Sequence, residues 1–123
     1  MVEGEKLIAI LNELKGLFER YKEMEFAEYY SAGLAVVIFD VDSKKEKVDY
    51  VNELRNDIYP KYKSEKIAVC ISTAMVALSK SASKYFEIKD ILKEINSYYK
   101  IYHSKAIKDC FYSVLKNIFR IYM

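Results

Sequence analysis

Apolar residues recur along this chain mostly three and four positions apart, the period of a helix that buries one face. Over residues 5–23, Leu7, Leu11, Leu14, Phe18 and Tyr21 trace a single stripe, weakened slightly by Gly16 inside it. Over residues 26–41, Phe26, Tyr30, Gly33, Val37 and Val41 share one face and Tyr29, Leu34 and Ile38 lie beside it. That segment is apolar nearly all round, which predicts a central, buried helix. Its small residues Ser31, Ala32, Gly33 and Ala35 would let a neighbouring helix approach closely. The competing reading is a strand over 34–41, because that run is β-branched and aromatic. The helix is preferred because nothing else in the chain offers a sheet partner.

A third helix is expected over 44–58, capped by Asp42 or Ser43, with Val48, Val51, Leu54 and Ile58 inward, and ended by Pro60. Ser64 is a plausible N-cap for a fourth, which would bury Ile67, Ile71, Ala74, Met75 and Leu78 and break near Ser79, Ser81 and Ser83. A fifth carries Ile88, Ile91, Leu92, Ile95, Tyr99 and Tyr102; a sixth carries Ile107, Cys110, Phe111, Val114, Ile118 and Ile121. The apolar stripe shifts phase near His103-Ser104, which implies a kink or break, with one long bent helix as the alternative. The expectation is an all-α protein: one domain, 1–123, built as a compact bundle of five to six helices around the helix at 26–41.

Composition sharpens this picture. The chain has 123 residues, with three glycines and one proline, too few breakers for a sandwich of short strands. Its longest apolar run, Leu34 to Phe39, is far short of the roughly 20 residues that cross a bilayer. The N-terminus lacks the basic flank and cleavage site of a signal peptide, so a cytoplasmic location and no membrane partner are expected. Gln and Trp are absent while Lys, Glu, Ile and Tyr abound. Loss of labile amides with Lys/Glu enrichment is a thermophile's signature, and lineage-specific codon bias gives the same pattern. Cys70 and Cys110 fall on apolar helical faces and read as buried free thiols; a thermophilic origin would make a disulfide between them less improbable. No cofactor and no metal site is expected: His103 is the single histidine, and there is no Gly-rich phosphate loop. No set of nucleophile and base is visible either, so a catalytic role is not the favoured reading.

Charge divides the chain. Residues 1–60 hold 8 Lys/Arg against 13 Asp/Glu, and residues 61–123 hold 12 against 5. In the basic half, Lys105, Lys108, Tyr112, Lys116 and Arg120 share one helical face, and Lys89, Lys93 and Lys100 share another, with Tyr98 and Tyr112 interleaved. Lysines meet phosphates as point charges and tyrosines stack on bases, so this face is a candidate surface for RNA or DNA. An acidic protein, or the acidic half of a second copy, fits the same charges, and the plain solvated back of two amphipathic helices would look alike. Twelve tyrosines, a residue type enriched in interfaces, together with the apolar character of the helices at 26–41 and 107–121, favour a homodimer or larger oligomer.

Two local strings resemble known families. Leu54-Arg55-Asn56-Asp57-Ile58-Tyr59-Pro60-Lys61-Tyr62 is similar to the signature of HEPN domains: Arg, a polar residue such as Asn, a short spacer, then His, often with Tyr two residues on. The resemblance implies a small, frequently dimeric helical bundle whose Arg and His, from two subunits, act on an RNA backbone. Arg55, Asn56 and Tyr62 match, but Pro60 stands at the His position, and a proline neither shuttles a proton nor donates a hydrogen bond. What it then implies is an RNA-binding or structural relative; a divergent ribonuclease or toxin–antitoxin component with displaced active groups is the alternative. Without that relation, Arg55 would pair with Glu53 or Asp57 or cap its own helix. The second string, Ala35-Val36-Val37-Ile38-Phe39-Asp40-Val41-Asp42, resembles the first motif of haloacid-dehalogenase phosphatases, a strand ending in Asp-x-Asp that supplies a nucleophile and holds Mg²⁺. Ser43-Lys44-Lys45 departs from that motif, and a helical chain lacks the parallel sheet it needs.

Overall fold

The computed structural model describes residues 2–40, 44–80 and 87–122, with side chains described for 5–40, 47–80 and 87–119. The expected caps Asp42 and Ser43, together with Val41, Ser81, Ser83 and the side chains of Arg120 and Ile121, lie outside these residues. Helix α1 (Val2–Tyr21) pairs with α2 (Met24–Asp40). Next, α3 (Lys44–Asn52) runs without a break through a π-helical stretch, Glu53–Ile58, into a last turn, α4 (Tyr59–Tyr62). Then come α5 (Glu65–Lys80), α6 (Ile88–Tyr102) and α7 (Lys105–Tyr122). The fold is an all-α bundle, and no described residue is in a strand.

Residues 34–40 are helical, so the strand reading fails, and with it the sheet that the phosphatase-like motif requires. The centre is shared by two helices. Of α2, Ala27, Tyr30, Leu34, Val37 and Ile38 are buried; of α5, Ile67, Ile71, Ala74, Met75 and Leu78 are buried, the stripe expected from spacing. Around them α2 meets α1 and α3, and α5 meets α6 and α7. Burial of α2 is one-sided, however: Tyr29 and Val36 are 52% and 51% exposed. Tyr21 is also exposed rather than inward, and stacks on Phe26 with centroids 4.9 Å apart. Gly33 brings α1 and α2 close: a Cβ there would lie 2.9 Å from Leu14 Cδ1 and 3.2 Å from Leu11 Cδ1.

Pro60 does not end its helix. A proline inside an α-helix removes one N–H and drives its ring into the carbonyl four residues back. Here the preceding turn is widened to π geometry, with the Tyr59 N–H bonding the Leu54 carbonyl five residues back. That opens room for the ring, and Pro60 starts the last turn, where its missing N–H costs little. The expected end at 58 is thus corrected to Tyr62.

Three helices end without glycine. Lys22, Lys63 and His103 adopt left-handed conformations, φ 51°, 44° and 51°. Each donates its backbone N–H to the carbonyl four residues back, on Phe18, Tyr59 and Tyr99 respectively. His103 therefore breaks the chain between α6 and α7, as the phase shift implied. The next residue, Ser104, accepts from the Ile107 N–H at 3.4 Å and caps α7. Ser64 caps α5 in the same way, accepting from the Lys66 N–H at 3.1 Å while its hydroxyl donates to Glu28.

Candidate nucleic-acid face and the Arg55 region

Helices α6 and α7 pack against each other and turn their lysines outward. Lys89, Lys93, Lys100, Lys105, Lys108 and Lys116 are all exposed. Among the described residues only Lys89 of this set forms an ion pair, a loose one with Glu87 at 3.5 Å. Asp90 and Asp109 are the other exposed carboxylates of these two helices. Tyr112 is 51% exposed with the Lys108 ammonium 6.0 Å from its ring centroid. Beside it, Asn96 and Tyr99 of α6 and Lys108, Phe111 and Tyr112 of α7 line a narrow cleft of about 150 Å³. The lysine stripes were legible from spacing. Asn96, Tyr99 and Phe111 were not, because what brings them together is the crossing of two helices.

Tyr98, which interleaves with the same lysines in sequence, does not belong to this face. It is buried, and its hydroxyl donates to Glu94 Oε2 at 2.8 Å. Burial, then the neighbouring Glu94 charge and hydrogen bond, push its pKa far above the ordinary tyrosine value.

Glu94 is also the partner of Arg55. Arg55 Nη2 lies 2.6 Å from Glu94 Oε1 and Arg55 Nε donates to Oε2 at 2.8 Å, a two-point contact between the π-helical stretch and α6. The acids expected for this arginine were its chain neighbours Glu53 and Asp57. Glu53 instead accepts from the buried Tyr30 hydroxyl at 2.7 Å, and Asp57 is exposed. Asn56 is exposed as well. Tyr62 faces the α1–α2 corner, donating to the Lys22 carbonyl at 3.1 Å and meeting the Phe18 ring edge-on. Arg55, Asn56 and Tyr62 thus address three different surroundings within one chain.

Several tyrosines have structural duties of the same kind. The Tyr102 hydroxyl donates to the Lys63 carbonyl at 2.8 Å, so its one proton is spent and Tyr59 must be the donor in the 3.0 Å Tyr59–Tyr102 bond. Tyr62 and Tyr102 therefore satisfy the carbonyls of two left-handed helix ends. Burial and this bond push Tyr59 up to about 12. Cys70 and Cys110 are half-buried free thiols; burial, helped by the Glu28 charge, pushes Cys70 up to about 11, and burial raises Cys110 too. Neither is a ready thiolate.

No described helix is long and apolar enough to cross a membrane. Comparison with protein families, curated proteins and solved structures finds no significant match to this chain.

Proposed function

We propose that this chain is a non-catalytic helical binding protein that engages RNA or DNA through the outer face of α6 and α7. One observation carries the reading: Lys93, Lys100, Lys105, Lys108 and Lys116 are exposed without carboxylate partners among the described residues, and the half-exposed Tyr112 stands among them. Surface lysines left unneutralised raise the local potential and attract a polyanion, and release of its counterions drives association. The cleft beside Tyr112 offers flat aromatic walls and the Asn96 amide, which suits one unstacked base next to a phosphate held by Lys108.

The test is a gel-shift series on generic single-stranded and duplex RNA and DNA at two salt concentrations. Affinity should fall steeply as salt rises, and Lys105→Glu with Lys108→Glu should weaken it at least tenfold. Tyr112→Ala should weaken single-strand binding more than duplex binding. Affinity that ignores both salt and the charge reversals overturns the reading.

A further inference from the structure

Along the outer side of α5, against α2 at its N-terminal end and against α2 and α7 at its C-terminal end, lies a groove whose two ends carry opposite charge. At the N-terminal end of α5, Glu25, Glu28 and Glu65 line a cleft of about 750 Å³, with Lys66 as the one cation among the described residues. Tyr29, Ala32 and Val69 form its apolar wall. At the C-terminal end a second cleft, of about 780 Å³, is lined by Lys80 and Lys116 and, among the described residues, by no carboxylate. Phe39, Val76 and Phe119 form its wall. Lys80 Nζ sits 5.1 Å above the Phe39 ring, and neither lysine has a carboxylate partner among the described residues. The two ends are about 21 Å apart, taking ~1.5 Å of rise per residue from Lys66 to Lys80.

Tyr29, Ala32, Val36 and Phe39 follow 3-4-3 spacing, so they form one exposed apolar strip of α2 along this groove. Tyr29, Val36 and Phe39 are each at least 40% exposed. This strip is what α2, apolar nearly all round, leaves uncovered within one chain.

We infer that this groove is a homodimer interface, in which a two-fold axis crossing its middle lays the acidic end of each copy over the basic end of the other. The charge pattern selects that occupant. A polyanion or an anionic membrane would be repelled by Glu25, Glu28 and Glu65, and an acidic protein would meet the same repulsion. A second copy, turned end for end, satisfies both ends at once and covers both apolar strips. A two-fold interface must be self-complementary, and this face is. Lys116 lies at the border with the α6–α7 face, while Lys89, Lys93, Lys100, Lys105 and Lys108 do not line the groove. Dimerisation and the proposed nucleic-acid binding are therefore separable.

Sedimentation velocity on the full chain, free of nucleic acid, tests this. A dimer at low micromolar concentration is expected. Val36→Arg, at an exposed position, should shift the dissociation constant at least tenfold toward monomer with an unchanged helical circular dichroism spectrum. Lys80→Glu should do the same, and adding Glu65→Lys to it should restore at least part of the loss by re-pairing the two ends. Lys105→Glu with Lys108→Glu should leave the dimer intact. A monomer at 100 µM or so, or a dimer indifferent to Val36→Arg, Lys80→Glu and the paired reversal, would overturn the inference.

Discussion

Arg55 and Glu94 face each other across the bundle and meet at two points, 2.6 and 2.8 Å, although 39 residues separate them in the chain. Their side chains are 29% and 16% exposed, so the pair is shielded enough that breaking it leaves a poorly solvated charge. Glu94 also holds the buried Tyr98 hydroxyl, which ties α6 to the same point. Arg55→Ala is expected to cost about 1–3 kcal/mol in chemical denaturation, and Glu94→Gln a similar amount. A double-mutant cycle should return a coupling of roughly 1 kcal/mol or more. Arg55→Ala should leave nucleic-acid affinity unchanged in protein that remains folded. A loss of affinity without loss of stability would instead give Arg55 a direct role at a ligand and revive the HEPN-like reading.

Gly16 and Gly33 should respond differently to an added Cβ, because one faces open space and the other meets neighbouring side chains. A Cβ on Gly16 meets nothing within 4 Å, so Gly16→Ala should stabilise by about 0.5–1 kcal/mol through helix propensity alone. A Cβ on Gly33 meets methyl ends of Leu14 and Leu11. These can shift, so Gly33→Ala should stay within about 1 kcal/mol of the parent, the propensity gain offsetting the crowding. Gly33→Val should cost about 1–3 kcal/mol, because the added branches leave no room for α1 to stay close to α2. Thermal melts of the three variants check the ranking.

Lys63 holds φ at 44°, a conformation in which a Cβ is crowded and glycine is not. Lys63→Gly should therefore stabilise the fold by about 1 kcal/mol, since the bonds made by its N–H and carbonyl use backbone atoms and survive the change. Lys63→Val should lower the melting temperature.

High pH should unfold the protein earlier than its exposed tyrosines alone would require. Tyr59 and Cys70 are held neutral in the native state, with values pushed up to about 12 and about 11 from 10.0 and 9.0. Between the ordinary and the raised value, the unfolded chain has lost a proton that the folded chain keeps, so stability falls as pH rises. The contribution is complete below about pH 9 for Cys70 and pH 10 for Tyr59, and is lost by about pH 11 and 12 respectively. Melting temperatures from pH 8 to 12 should show this decline, and Cys70→Ala should flatten its earlier part. Alkylation of both thiols at pH 8 should be slower than for an unstructured cysteine peptide.

The 3.6-residue period determined most of the architecture from sequence alone. It marked the helices, the inward stripe of α5 and the break at His103, because an apolar face must repeat at the helical period to be buried at all. Ser64 was readable as a cap because its side chain acts on its own neighbours. Tertiary structure decided what depends on distant residues. Pro60 reads locally as a stop, yet a π turn and packing of Leu54 and Ile58 carry the helix past it to Tyr62. Arg55 has acids beside it in sequence but meets one on another helix. Tyr98 and Tyr112 sit among the same lysines, and only the packing of α6 and α7 in the bundle buries the first and leaves the second in solvent. The groove of opposite charges likewise needs three helices side by side. Local periodicity says which face of a helix is apolar; the choice of neighbour that covers it, and the part left uncovered, is made by the packing of the whole chain.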